Sequence, residues 1–178
     1  MPNALRIPLA APAILVLLAG CSHTVTRPSA PDVRLSVSSS PAAGQPSEPT
    51  AIVLSVRNAG NASVWHCEGC VCGNGSTIAV LGPDGIEVAL KDPHGPIPLC
   101  LDREDAELGP GGALESRLLF DGRLYERNSP TYPSTTYAAP PGIYTVIARF
   151  QYSTTANESQ VGVERVTLER RTTFTWGS

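Results

Sequence analysis

The chain is poor in the residues that build helical cores and nucleic-acid surfaces. Its 178 residues include 1 Met, 2 Trp and 3 Phe. No segment after residue 21 has an apolar stripe at helical spacing, which disfavours a helical bundle. The 13 Lys and Arg are outnumbered by 16 Asp and Glu, giving a net charge of -3, and they form no basic run. We therefore expect no nucleic-acid partner.

The sequence also lacks the short motifs of common catalytic sites. It contains no G-x-S-x-G, no H-E-x-x-H, no phosphate loop and no dinucleotide fingerprint. The apolar run from Pro8 to Gly20 has 13 residues, short of the roughly 20 that a transmembrane helix needs. We expect a protein that is not an enzyme, binds no cofactor and has no membrane-spanning helix.

Glycine and proline are abundant instead, with 16 and 17 residues, and they separate short segments of alternating polarity. Val33, Leu35 and Val37 form one such segment, and apolar residues also alternate through 52–56 and 144–152. A period of two predicts strands with one buried face. Further strands are predicted around 63–66, 77–81, 86–90, 114–120 and 166–176. Seven or eight short strands predict an antiparallel β-sandwich over residues 32–178.

One hairpin is predicted in particular detail. Thr77–Leu81 and Ile86–Leu90 flank Gly82-Pro83-Asp84-Gly85. Proline presets the first central dihedral of such a turn, and glycine closes it. Ile86, Val88 and Leu90 are expected on the buried face of the second arm.

The N-terminus has the layout of an export signal. A single positive charge within Met1–Arg6 precedes the apolar run, which ends in Leu18-Ala19-Gly20-Cys21. This tetrapeptide resembles the lipobox of bacterial lipoproteins. The resemblance implies that residues 1–20 are a cleaved signal peptide and that Cys21 carries a diacylglyceryl group and a further acyl chain such as palmitate. The alternatives are an ordinary signal peptide with a coincidental cysteine and an uncleaved anchor helix.

The same resemblance implies a location in the cell envelope. Residues 21–31 read as a lipidated flexible tether, and the lipid would attach the domain to the extracytoplasmic side of a membrane. Ser22 is not the Asp that commonly retains lipoproteins in the inner membrane. The family pattern thus favours the outer membrane if the organism has two membranes. Besides the membrane itself, we expect a protein partner in the envelope.

A late segment, Pro141-Gly142-Ile143-Tyr144-Thr145-Val146, resembles the tyrosine corner of immunoglobulin-like folds. The resemblance implies that the Tyr144 hydroxyl bonds to the backbone near the preceding connection, while the ring fills the core. The alternative is an ordinary core tyrosine. Either assignment is compatible with an immunoglobulin-like β-sandwich.

Four segments in order resemble the BsuPI-type proteinase inhibitor domain: "VLSVRNAGNASV", "VLGPDGIEV", "LGPGGALESRLLFDG" and "PPGIYTVIARF". The likeness covers about residues 50–150. This chain departs from the pattern with a cysteine-rich insertion between Trp65 and Thr77 and a long loop after Leu90. The resemblance implies an immunoglobulin-like scaffold, and protease inhibition follows only as a fold-level hypothesis.

Four cysteines remain when Cys21 is set aside: Cys67, Cys70, Cys72 and Cys100. An even number in an exported chain predicts disulfides, with three possible pairings. We favour Cys67 with Cys70 and Cys72 with Cys100, since two cysteines one residue apart leave little room for disulfide geometry. A bridge from the cluster to Cys100 would close a loop worth about 3 kcal/mol.

The same cluster has two other interpretations. The thiolates of Cys67, Cys70 and Cys72, with the His66 imidazole, could bind Zn²⁺ or Cu⁺, which would make the protein an extracytoplasmic metal-binding protein. The C-x-x-C spacing could instead be redox-active, although no helix follows to lower a thiol pKa.

Three tyrosines lie in a segment rich in Pro, Ser and Thr: Tyr125, Tyr132 and Tyr137. Exposed tyrosines on a rigid scaffold can bind a protein or a glycan. The alternative is that these rings cover one end of the sandwich. We predict a non-catalytic structural or protein-binding domain, with this tyrosine surface as the candidate contact.

Overall fold

The described part of the chain is built from β-strands. A computed structural model describes residues 31–68, 75–93, 104–129, 132–156 and 165–177, with eleven strands and no α-helix in those ranges. The strands are β1 (Val33–Ser40), β2 (Ala43–Gly44), β3 (Thr50–Asn58), β4 (Val64–Glu68), β5 (Ser76–Leu81), β6 (Glu104–Leu108), β7 (Ala113–Phe120), β8 (Arg123–Tyr125), β9 (Thr136–Ala138), β10 (Gly142–Tyr152) and β11 (Val166–Trp176). None of the described residues forms a helix long and apolar enough to cross a membrane.

Two main sheets form an immunoglobulin-like sandwich, which confirms the predicted fold class. One is three-stranded in the order β1-β3-β7, and the other is four-stranded in the order β2-β11-β10-β5. All pairs within them are antiparallel except β2 with β11. Two short ribbons, β4-β6 and β8-β9, complete the described strands.

The predicted alternation places the core between the two sheets. Ile52, Leu54 and Val56 on β3 are at most 1% exposed, and so are Tyr144 and Val146 on β10. The core has an aromatic end and a more aliphatic end. The aromatic end contains Phe120, Tyr144, Phe174 and Trp176, and the other contains Leu35, Leu54, Val56, Val64, Leu108 and Phe150.

The strand count exceeds the prediction because several short strands carry little apolar signal. β6 contains Glu104, Asp105 and Glu107, so its sequence does not alternate as a half-buried strand does. It is placed by pairing with β4, where Val64 lies opposite Leu108. The two-residue β2 is likewise defined only by its partner β11. Tertiary pairing, and not local pattern, determines these strands.

The hairpin prediction is correct for the turn and partly correct for its second arm, because Val88 and Leu90 pack against the core while Ile86 does not. The Gly82 N–H donates to the Ile86 carbonyl at 2.8 Å, and Gly85 has a φ of 78° that suits glycine. Beyond the turn, only isolated bridges form, from Leu81 to Glu87 and from Ala89 to Tyr125. Ile86 is 65% exposed rather than buried. The Val88 N–H still donates to the Val80 carbonyl of β5 at 2.9 Å, and the next residue turns to β8, where the Ala89 carbonyl accepts a hydrogen bond from the Tyr125 N–H.

The tyrosine corner is confirmed. The Tyr144 hydroxyl donates to the Pro140 carbonyl at 2.8 Å, and the Tyr144 ring stacks on Phe174 with centroids 5.4 Å apart. Burial, the main cause, raises the pKa of Tyr144 to about 12, and the Tyr137 and Asp84 charges add to it. The hydroxyl therefore ties the start of β10 to the connection before it.

We expect Tyr144→Phe to lower the free energy of unfolding by about 1 kcal/mol, because the hydrogen bond from the hydroxyl to the Pro140 carbonyl is lost. The folded pKa lies above the unfolded value of about 10, so Tyr144 contributes stability below pH 10 that is lost as the pH rises towards 12. Urea unfolding between pH 7 and 11 should show a smaller alkaline loss in Tyr144→Phe than in the parent. An equal loss would contradict this assignment.

Candidate binding cleft

Within the ranges that the structure describes, the sandwich has an open side where the last strands of its two sheets face each other. β5 is the last strand of the four-stranded sheet, and β7 is the last strand of the three-stranded sheet. Residues of both strands, together with the segment 87–93, line a cleft of about 710 Å³. This volume lies within the range of known ligand pockets. We call it the β5-β7 cleft.

The floor of the cleft is apolar. Ile78 of β5 and Leu118 of β7 point between the sheets, and Val88 and Leu90 close the floor from the connecting segment. All four are half-buried and pack against the aromatic end of the core. Apolar ligand groups would thus contact residues that the core already holds in place.

Two serine hydroxyls connect the facing strands within the lining. Ser76 Oγ of β5 lies 3.1 Å from Ser116 Oγ of β7, and either hydroxyl can donate. Ser116 shares the inward face of β7 with Leu118. The hydroxyls link the two sheet edges and place hydrogen-bonding groups beside the apolar floor.

Charged side chains line the same cleft, with cations in excess. Lys91 and Arg127 contribute two positive charges and Glu87 one negative charge, and Arg117, on the outward face of β7, adds a third cation at the rim. Arg127 Nη2 lies 2.8 Å from Glu87 Oε1, and both side chains are 51% exposed. Among the described residues, neither Lys91 nor Arg117 forms an ion pair, so both can take an anionic ligand. The lining is therefore positive on a chain whose net charge is -3.

The connecting segment is held at both ends, which fixes one wall of the cleft. The Val88 N–H donates to the Val80 carbonyl of β5 at 2.9 Å. Farther along, the Asp92 carboxylate accepts hydrogen bonds from the Ser134 N–H at 3.0 Å and from the Ser134 hydroxyl at 2.6 Å. Ser134 is itself buried. A wall held this way is preformed and loses little freedom when a ligand binds.

The three predicted tyrosines do not share one face. Leu124 lies opposite Tyr137 in the β8-β9 ribbon, and Tyr125 lies opposite Thr136, so Tyr125 and Tyr137 project to opposite sides. Tyr132 and Tyr137 are 65% and 48% exposed, while Tyr125 is half-buried. The structure thus presents separate exposed rings, and the proposal of a tyrosine binding surface must rest on Tyr132 and Tyr137.

The cysteine cluster lies mostly outside the described residues, and so does Cys21. Cys67 lies on β4, while Cys70, Cys72 and Cys100 fall in ranges that are not described. Cys67 and His66 are each 2% exposed, and as neighbours on a strand their side chains point to opposite faces. The described ranges contain no group of three His, Cys, Asp or Glu that could hold a metal.

The His66 ring is buried, and its Nδ1 atom has no hydrogen-bond partner among the described residues. The ring packs against Phe150 with centroids 5.7 Å apart. An unsatisfied buried polar atom costs about 1–3 kcal/mol. We therefore expect His66→Leu to raise the free energy of unfolding by about 1 kcal/mol, and His66→Ala to lower it because a cavity remains. If His66→Leu were destabilising in urea unfolding, the imidazole would have a role that requires its nitrogen.

The residues of the β5-β7 cleft are not apparent in the sequence as a site. Arg117 and Ser116 sit in an ordinary alternating strand, and Lys91 follows the predicted hairpin. The one available signal is the pair of charged residues, Glu115 and Arg117, on the polar face of a strand. Charged residues on strands are common at sheet edges, so this signal indicates an edge but not a cleft.

No protein-family model matches the chain, and neither does any curated protein. Among solved structures, the chain is similar to a β-glucosidase from Listeria innocua (10% identity, TM-score 0.38) and to one from Erythrobacter marinus (11%, TM-score 0.38), each over 83% of this chain and 16% of that chain. It is also similar to the CARDB domain of the PF1109 protein from Pyrococcus furiosus (12%, TM-score 0.37), over 83% of this chain and 89% of that chain. At TM-scores this low, the likenesses carry no argument about function.

Proposed function

We propose that this protein is a lipid-anchored domain of the cell envelope that binds another molecule through the β5-β7 cleft and does not catalyse a reaction. The observation that carries the proposal is the cleft itself, of about 710 Å³, with an apolar floor and an excess of cations in its lining. A preformed apolar pocket with a few polar groups is the usual form of a binding site.

The polar groups of the cleft suit the recognition of an anionic ligand. Lys91 and Arg117 supply positive charge, and the Ser76 and Ser116 hydroxyls lie beside the apolar floor. A guanidinium can hold a carboxylate with two parallel hydrogen bonds. These side chains would therefore hold and orient a ligand, while the apolar floor would add buried apolar area.

The anchor belongs to the same proposal. The lipobox at Leu18-Ala19-Gly20-Cys21 supports lipid attachment at Cys21. Each buried CH₂ of an acyl chain contributes about 0.8 kcal/mol, and more than one chain is needed for stable attachment. A lipid-anchored domain can bind partners that are themselves in the envelope. Confinement to one membrane surface raises the effective concentration of the domain and its partner.

We further propose that the four cysteines of the domain form disulfides and hold no metal, with Cys67 paired to Cys70 and Cys72 to Cys100. The burial of Cys67, which is not a free thiol, supports this proposal. A second bridge to Cys100 would fix the long connection before β6. Thiol titration of the unfolded, unreduced protein should then detect no free thiol, and four free thiols would contradict the pairing.

Site-specific cross-linking tests the binding function. A photoreactive residue placed at Val88, in the cleft, should give a discrete adduct in intact membranes, and the same residue at Ser38 should not. Ser38 is exposed on the outer face of β1, in the same sandwich. Combining the Val88 probe with Arg117→Glu should remove the adduct. Equal adducts from both positions, or an adduct that Arg117→Glu leaves unchanged, would contradict binding through the cleft.

A further inference from the structure

We propose that the outer edge of β7 accepts an extended segment of a partner protein as an additional strand, with acidic residues facing Arg117 and apolar residues facing the cleft. This inference rests on the proposed function, because it names the ligand of the β5-β7 cleft. Strand addition at a sheet edge is a common way to bind a peptide, since the backbone supplies affinity and alternate side chains supply specificity.

Along β7, every second residue directs its backbone N–H and C=O groups away from β3, towards the outer edge of the sheet. The Asn58 N–H donates to the Gly112 carbonyl at 3.0 Å, so Asn58 and Gly112 form a hydrogen-bonded position beside β3. Such positions recur at every second residue of an antiparallel pair. By this alternation, Leu114, Ser116 and Leu118 direct their backbone groups to β3, and Glu115, Arg117 and Leu119 direct theirs outward.

The outward backbone groups have no strand partner within the described part of the chain. β7 is the last strand of its sheet in those ranges, and β3 is its one ladder partner there. Three residues with outward N–H and C=O groups, from Glu115 to Leu119, are enough to bind a short strand. Leu119 also exposes 57% of its surface beside this edge.

The side chains around the edge specify the pattern of the ligand. A strand added to β7 would continue its two faces, so every second ligand residue would point inward over Ile78 and Leu118. The intervening residues would lie on the outer face beside Arg117, whose exposed cation forms no ion pair among the described residues. Apolar and acidic residues that alternate in one segment would satisfy both faces.

Glu115 determines where the acidic residues belong. It is an exposed carboxylate on the same face of β7 as Arg117, two residues away. A like charge directly opposite it would be destabilising. The acidic residues of the ligand therefore lie opposite Arg117 and towards Leu119, with a neutral or basic residue opposite Glu115. The charge pattern selects one register of the added strand.

Peptide binding to the full-length mature protein in detergent tests the inference. The probe is a pool of fluorescent peptides, about seven residues long to match a typical strand, in which Val, Ile, Leu, Phe or Tyr alternates with outer-face residues. These outer-face residues are Asp or Glu, except for one Ser placed to lie opposite Glu115. Fluorescence anisotropy should show saturable binding. N-methylation of the amides that would face β7 should weaken it about tenfold or more, because two or three hydrogen bonds are lost.

Three variants give the charge and edge controls. Arg117→Glu should weaken binding of the acidic pool about tenfold and favour a matched Lys pool. Leu119→Pro should also weaken binding, because it removes an outward N–H while leaving the ladder to β3 intact. Arg170→Glu, an exposed cation on β11 of the other sheet, should change the affinity by less than about twofold.

Other outcomes overturn strand addition. These are an absence of saturable binding, insensitivity to N-methylation, or equal effects of Arg117→Glu and Arg170→Glu. They are distinguishable from failure of the proposed function, because a Val88 adduct that depends on Arg117 would still locate a different ligand in the cleft.

Discussion

Phe120→Ala should lower the free energy of unfolding by about 3–5 kcal/mol, the usual cost of truncating a buried aromatic residue. Phe120 is 1% exposed, and its ring centroid lies 4.9 Å from those of Tyr144, Phe174 and Trp176. The substitution removes all three ring contacts and leaves a cavity between the two sheets. For a domain with a typical stability of about 5–15 kcal/mol, this is a large fraction of the total.

Urea unfolding followed by Trp fluorescence measures this loss, because Trp176 lies in the same cluster. Leu119→Ala is the matched control: the residue is adjacent on β7 but 57% exposed, and its truncation should change stability by less than about 0.5 kcal/mol. Similar effects for the two variants would show that the aromatic cluster does not centre on Phe120.

Cys21→Ser should abolish lipid attachment, because the serine hydroxyl does not replace the thiol that the lipobox resemblance identifies as the acceptor. We expect the parent protein to incorporate labelled palmitate and to fractionate with membranes. The variant should incorporate none and should retain residues 1–20, since cleavage in lipoproteins follows lipidation. Metabolic labelling and intact-mass measurement report both effects.

Ser22→Ala is the control for this prediction. It changes the neighbouring residue but leaves the acceptor thiol and the tetrapeptide Leu18-Ala19-Gly20-Cys21 unchanged, so it should be labelled and cleaved like the parent. A Cys21→Ser protein that is still cleaved and still bound to membranes would contradict the lipid anchor. An unlabelled parent protein would do the same.

Much of the fold could be predicted because the core follows a local period of two. Ile52, Leu54 and Val56 alternate with less buried neighbours, and apolar residues also recur at every second position of β10. These two strands and their buried faces can therefore be predicted from the sequence. The tyrosine corner was also predictable, because Tyr144 lies shortly after the turn residues Pro141 and Gly142. The acidic strand β6 was not predictable, because its position depends on pairing with β4 across a long connection.

The candidate site was less predictable, because it depends on which strands lie at the edges of the two sheets. The sequence predicts that Ser116 is on a strand and that Ser76 directly precedes one. It does not show that these strands lie at sheet edges and face each other across a 3.1 Å hydroxyl contact. The segment after Gly85 keeps a hydrogen bond from the Val88 N–H to β5 before it turns to β8 and lines the cleft, a course that no local pattern predicts.

Residue-resolved amide exchange along β7, in the mature protein with and without the acidic peptide pool, tests most directly whether ligands bind at this edge. In the free protein, the outward amides of Glu115, Arg117 and Leu119 should exchange faster than those of the intervening residues, which bond to β3. The pool should slow those outward amides selectively. Unchanged exchange on β7, or protection confined to the four-stranded sheet, would contradict the account.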